Sequence, residues 1–379
     1  MPTSTFRKPL LPSHYSVWFE PPDEAGDEVL RIVSDRRSLK LKGHSFRDFH
    51  QRVVPLLDGR HSVEEIEEQT GDLFRAEDLI EALNMLGEQG VVVEGSGDEM
   101  AEDLSSRLAP QLNFFREVAP SGAELQGRLA AATVAIIGLG GAGAGAALAL
   151  AAAGVGTLRC IDTLPVAPTD VYLAAPFSIA DVGSGRAAAV ASKIKASAPQ
   201  VAVVADFPAM ESEADLRRAI TGADFVICCL DPGQSNVVYK LNRVCLAEEI
   251  RWIACALAGT EITVGPAIHP GESACYLCYR MRATACGGNP EEAFAYEKYL
   301  DRRKRDDSGR RENLVFGAGL AANLVALEAF KELSGIAEPS LVGRVLTVDL
   351  ADLAIQKHSV LRKPWCPACF EKAEAKNAG

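Results

Sequence analysis

At 379 residues the chain is too long for one small core, and its length predicts two or three domains. Hydrophobic residues at 48% and charged residues at 24% exclude a disordered chain and fit a globular one. A net charge of −12 speaks against a nucleic-acid partner, which needs a concentrated positive face.

The opening segment, MPTSTFRKPLLPSHYSVWFE, lacks an apolar run of signal-peptide length. Residues 1–95 read as a small α/β unit. VLRIV and SLKLK, separated by SDRR, predict a hairpin. Phe46, Phe49, Val53, Leu56 and Leu57 recur at helical spacing up to a stop at Asp58-Gly59. SVEEIEEQTG opens with a capping box from Ser62 to Glu65. The next helix puts Leu79, Ile80, Leu83 and Leu86 on one face, and VVVEG supplies a last strand. Hairpin, three helices and a strand make a winged-helix-like arrangement. Such a unit often enters a DNA groove, but its last helix carries Glu77, Asp78, Glu81 and Glu88, the wrong sign for that use. Its other use is capture of an extended peptide along the hairpin edge.

The polar stretch GSGDEMAEDLSSRLAPQ predicts a linker over 96–125, followed by a second domain over 126–379. From TVAIIG onward strands and helices alternate, which predicts a doubly wound, Rossmann-like parallel sheet and so an α/β fold. No charge lies between Arg128 and Arg159, a span long enough to cross a bilayer. Its glycine cluster and its change from β-branched to alanine-rich composition predict a buried strand-turn-helix, with no membrane segment.

Gly138, Gly140 and Gly143 fit G-x-G-x-x-G between that strand and helix, with Asp162 closing the next strand. The glycines let backbone N–H groups approach phosphates at a helix N-terminus. Taken alone, the pattern suggests NAD. The cysteines turn the reading elsewhere. Cys275 and Cys278 form one CxxC pair, Cys366 and Cys369 another, and four thiolates suit a closed, structural zinc site. Paired thiols and no secretion signal predict a reducing cytoplasm. Cys160, Cys228, Cys229, Cys245 and Cys255 lie in apolar contexts and read as core.

A GxGGxG loop, an acid after the next strand and two distant CxxC pairs together resemble the ThiF/ubiquitin-activating family, over about 130–370. LAAAGVGTLRCID, DVGSGRAAAVASKIKASAP and VICCLDPGQSNVVYKLN extend the resemblance. It implies ATP with Mg²⁺ and adenylation of a carboxylate, usually a peptide or small-protein C-terminus. By position, Gly140 and Gly141 would lie under the phosphates, Asp162 would hold the ribose and Asp231 would sit at the Mg²⁺. The chain also departs from the pattern. Leu164 stands where a second acid is expected, and Asp170, Val171, Tyr172, Leu173 and Ala174 replace an Asn-x-x-Arg-Gln run. Arg186 stands in place of a lysine. Adenylation leans on positive charge aimed at the triphosphate, so the fold is retained while the chemistry is weakened.

The N-terminal unit is similar to the PqqD-like domain that recognises leader peptides in ribosomal-peptide maturation. LVGRVLTVDL and HSVLRKPWCPAC are similar to ocin-ThiF-like proteins of thiazole/oxazole pathways. That likeness implies a protein, also a homodimer, that binds a precursor's leader and presents it to an ATP-consuming YcaO-type cyclodehydratase. The leader would add to Ser38–Lys42, with Leu39 and Leu41 on one face and Leu79, Leu83 and Leu86 as the far wall of the groove. Two alternatives stay open: an ATP-dependent adenylating or ligating maturase, and a sulfur-carrier activating enzyme. Residues 289–313 match a crossover segment whose basic run, Arg302, Arg303, Lys304 and Arg305, reads as a solvated face or as a guide for an acidic peptide. Cys286 is a candidate nucleophile with no base assignable to it.

Overall fold

The structure is a computed structural model and describes residues 4–20, 28–95, 102–118, 122–173, 176–207, 209–231, 233–302 and 314–370. It divides into two compact units between Leu125 and Gln126.

In the first unit, β1 (Pro9–Leu10) is followed by β2 (Ser16–Glu20), β3 (Glu28–Val33) and β4 (Ser38–Gly43). The chain then turns through α1 (Phe46–Asp48), whose helical path continues irregularly to Leu56, into α2 (Val63–Thr70) and α3 (Ala76–Glu88). The strand β5 (Val93–Glu94) precedes α4 (Glu102–Val118), and α5 (Gly122–Ala131) spans the division between units. The capping box of α2 forms as expected: Ser62 Oγ accepts from the Glu65 N–H, and Glu65 accepts from the Ser62 N–H.

The predicted hairpin forms as β3 and β4, within a three-stranded antiparallel sheet ordered β2-β3-β4 whose inner strand is β3. Strand β2 escaped notice because Trp18 and Phe19 sit in a short segment close behind a proline-rich entry. The last predicted strand forms as β5 and pairs with β1. The stretch over 96–125, predicted as a linker, contains all of α4, which buries Leu108, Leu112 and Phe115 at helical spacing beneath a polar composition.

The second unit runs β6 (Thr133–Ile137), α6 (Gly141–Ala152), β7 (Thr157–Ile161), α7 (Pro168–Leu173), α8 (Arg186–Ser197), β8 (Ala202–Val204), α9 (Glu213–Ile220) and β9 (Phe225–Cys228). It continues through α10 (Ser235–Glu248), β10 (Arg251–Ala258), β11 (Glu261–Ile268), α11 (Tyr276–Cys286) and α12 (Pro290–Arg302). It closes with α13 (Val315–Ser334), β12 (Arg344–Asp349) and β13 (Ile355–Ser359). One eight-stranded sheet, ordered β13-β12-β11-β10-β9-β6-β7-β8, holds all of these strands. Strands β10 to β8 in that order are parallel, as the alternating pattern predicts, while β11, β12 and β13 are antiparallel additions. The sheet is therefore mixed rather than wholly parallel.

Val134 to Ile137 are fully buried, so β6 is covered on both faces, which is why it reads as a continuous apolar run. The uncharged span that raised the question of a membrane is β6, α6 and β7, and no helix among the described residues is long and apolar enough to cross a bilayer. α6 packs along α13 at a seam of small residues: a Cβ on Gly145 would come within 2.7 Å of Ala322 Cβ. Burying α6 this way fixes its N-terminus at the end of β6.

Candidate functional site

The turn from β6 into α6 carries the glycine pattern. Gly138 has φ +85°, a left-handed conformation that favours glycine, and a Cβ there would strike the Cys229 carbonyl at 2.6 Å. A Cβ on Gly143 would lie 1.8 Å from the Gly138 carbonyl oxygen, so this helix turn and the strand exit press directly together. Gly140 caps α6 and Gly141 opens it. Asp231, just past β9, leans over this loop, with Oδ1 3.1 Å from where a Gly140 Cβ would stand.

Asp162 is 2% exposed at its side chain. Its Oδ2 accepts from the Leu139 N–H at 2.8 Å and its Oδ1 from the Leu164 N–H at 2.8 Å. The carboxylate thus clamps the glycine loop to the turn after β7. Arg186, the first residue of α8, is the cation this region shares. Its Nη1 donates to Asp231 Oδ2 at 2.9 Å and lies 3.4 Å from Asp162 Oδ2. Nε and Nη2 both donate to Asp170, at 2.9 and 2.7 Å. Burial pulls the guanidinium pKa down, but Asp231, Asp162 and Asp170 outweigh it and hold the pKa above its ordinary value. Arginine here is permanently charged. With three carboxylates around it, the cluster carries a formal −2.

The residues that resemblance placed at a nucleotide therefore come together: Gly138, Gly140, Gly141 and Gly143 with Asp162, Arg186 and Asp231. Sequence reasoning missed Asp170 as a partner. The available signal is that Asp170 is the one charged residue between Asp162 and Asp181, ahead of Arg186. The glycine loop and acids are compatible with a nucleotide and a divalent cation, for which Asp231 would be the ligand. The guanidinium fit is poorer, because its two-pronged face is already taken.

The four cysteines of the CxxC pairs are buried at the junction of α11 with the segment after β13. Cys275 Sγ lies 3.8 Å from both Cys278 and Cys366, and Cys278 lies 3.7 Å from Cys369. All four sulfurs fall within 4.8 Å of one another. An ideal tetrahedron with bonds of about 2.3 Å places its ligands about 3.8 Å apart, the spacing of these three pairs, so the set could hold a metal ion. The Lys363 N–H points at Cys278 Sγ from 3.3 Å, the kind of outer contact that steadies a thiolate.

The remaining cysteines divide by burial. Burial pushes the Cys160 and Cys228 thiols up to about 12, which makes them inert core groups. Cys229, Cys245 and Cys255 are buried as well. Cys286 is exposed and ends α11. In the basic run, Arg302 ends α12, and Arg303, Lys304 and Arg305 lie outside the described residues.

In the first unit, β4 pairs with β3 on one side and is an edge of its sheet among the described residues. Leu39 and Leu41 are half-buried on its inner face, with Lys40 and Lys42 exposed on the other. Leu79, Leu83 and Leu86 are at most 2% exposed and pack in the core with Leu30, Ile32 and Ile66. These three leucines hold α3 to the sheet and do not line an open groove. Helical periodicity marks an apolar face equally well in either setting.

The sheet order, the glycine turn at the carboxyl end of β6 and the four-cysteine cluster define a Rossmann-like α/β protein with a group of thiols that could hold a metal ion. The chain belongs to the ThiF family, whose profile matches residues 109–368. It is 26% identical over 255 residues to the sulfur carrier protein adenylyltransferase of Thermus thermophilus, covering 66% of this chain and 87% of that protein. Its fold is also similar to that of Escherichia coli MccB, the microcin C7 biosynthetic enzyme solved with N-formylated MccA. That match has a TM-score of 0.66 at 17% identity, covering 95% of this chain and 99% of MccB. A crystal structure of PaaA matches with TM-score 0.63 at 20% identity, covering 92% and 99%. The MccB and PaaA matches extend well beyond the family profile into the N-terminal unit.

Proposed function

We propose that this chain is the leader-binding component of a ribosomal-peptide maturation system of the thiazole/oxazole type. The N-terminal unit, read as a PqqD-like winged helix, takes the precursor's leader as an added strand on β4. The second unit presents the precursor to a YcaO-type cyclodehydratase, which spends the ATP. One observation carries this reading: a strand edge that no other strand covers among the described residues accompanies, in the other unit, an arginine fork already consumed by a carboxylate. Zinc in the Cys275, Cys278, Cys366 and Cys369 site is structural, since four protein thiolates leave no open position.

The second reading is an adenylating maturase, favoured by the intact glycine loop beneath Asp231 and by the adenylyltransferase relative. The two separate in one experiment, in which the protein is mixed with synthetic peptides encoded beside its own gene, with and without Mg-ATP. The first reading expects peptide binding with no release of AMP or pyrophosphate. Proline at whichever of Lys40 and Leu41 leaves the fold intact removes an outward N–H and weakens that binding about fivefold to tenfold. Release of AMP and pyrophosphate that Asp231→Ala abolishes would establish the second reading instead.

The reading includes a homodimer in the cytoplasm. Phe316, Leu320 and Leu327 line one stripe of α13 at 78%, 36% and 49% exposure, an apolar row suited to a second copy. Sedimentation velocity is expected to give twice the chain mass, and Phe316→Asp to return the monomer. A wild-type monomer at micromolar concentration would remove the dimer.

A further inference from the structure

Arg186 has two faces. Nη1 turns toward the glycine loop through Asp231 and Asp162, while Nε and Nη2 form a parallel pair onto both oxygens of Asp170. That fork is the geometry in which arginine grips two oxygens of a carboxylate or of a phosphate. Asp170 is itself held in place. Its Oδ2 also accepts from the Ala167 N–H at 2.8 Å, and its own N–H donates to the Ala167 carbonyl at 2.9 Å. The carboxylate is thus built into the first turn of α7 and cannot turn aside while that turn is intact. The Asp170 and Arg186 side chains are 9% and 3% exposed, so water competes little for the pair.

We propose that Asp170 is an internal stand-in for phosphate: it occupies the Arg186 fork and sets how weakly the glycine-loop site takes a nucleoside triphosphate. The inference rests on reading that loop as a polyphosphate site. A triphosphate arriving with its divalent cation meets three carboxylates and a guanidinium with no fork to offer. It gains that fork only by displacing Asp170. Affinity is then a competition between two anions for one cation, decided by a residue of this chain.

The test is calorimetric titration with Mg-ATP of the full-length, metal-loaded protein and its variants, each checked for folding by thermal melting. Asp170→Asn keeps an acceptor for the Ala167 N–H but removes the competing charge. It is expected to bind Mg-ATP about tenfold tighter than wild type, and Asp170→Asn with Arg186→Gln to lose the gain. A folded Asp170→Asn that binds no tighter, including no detectable binding by either protein, overturns the inference. If Asp170→Asn does not fold, Asp170→Ser decides the matter. It removes the competing carboxylate while leaving the Arg186 fork in place, so several-fold tighter binding supports the competition and unchanged or weaker binding overturns it. Peptide binding and AMP release by the wild-type protein judge the proposed function separately, because the Asp170 comparison reads nucleotide affinity alone.

Discussion

Cys366→Ser is expected to strip the metal from the four-cysteine site and lower the melting temperature of the protein by roughly 10–15 °C. The expectation follows from chain connectivity. Cys275 and Cys366 are separated by 91 residues, as are Cys278 and Cys369, so the ion closes a long loop. A cross-link over about a hundred residues removes ~4–5 kcal/mol of unfolded-chain entropy, if it is treated like a disulfide. Serine also leaves a hydroxyl among Leu246, Val345 and Val360, a pocket with apolar walls. Cys366→Ala separates the two effects, since it loses the metal without that polar cost. Metal analysis is expected to find one zinc per wild-type chain, and a strong chelator to reproduce the shift. A metal-free protein that melts with the wild type would make the cluster an ordinary packing of four thiols.

Arg186→Leu is expected to cost about 3–5 kcal/mol, because it leaves Asp162, Asp170 and Asp231 facing one another without their shared cation. Breaking a buried ion cluster from one side is far more damaging than replacing it with apolar groups of similar size. Adding Asp170→Leu to Arg186→Leu is therefore expected to restore part of the loss, a non-additive outcome that urea denaturation of both variants measures. Equal stability of Arg186→Leu and wild type would show that the cluster contributes nothing to holding α7 and α8 beside the glycine loop.

The site's parts were legible to different degrees, and the differences have physical causes. The glycine loop and the CxxC pairs are local patterns whose spacing follows from one turn of backbone, so they survive in the sequence alone. The Asp170–Arg186 pair depends on α7 folding back onto the start of α8, and the fifteen residues between them carry no motif or periodicity that announces it. The parallel half of the large sheet is visible through its alternation with helices. Strands β12 and β13 are not, since β13 (IQKHS) is exposed along its whole length and lacks the apolar signature of a buried strand. Helix α4 was hidden by a polar composition that resembles a linker, although Leu108, Leu112 and Phe115 keep its period. Leu79, Leu83 and Leu86 show the reverse difficulty: their pattern was plain, but only the structure separates a core face from a groove.

The open edge of β4 also bears on solubility. A row of unsatisfied backbone groups that can accept a visiting strand can equally accept the same strand from another molecule, which is how edge-to-edge stacking and fibrils begin. Lys40 and Lys42 stand exposed on one face of that edge strand, Lys40 3.8 Å from Glu20, and placing two such copies side by side would bring these lysines together. A foreign peptide brings no such penalty unless it is basic. If β4 takes a leader as proposed, the lysines would discriminate between self and guest at a surface whose hydrogen bonds cannot. Neutralising both would trade selectivity for aggregation.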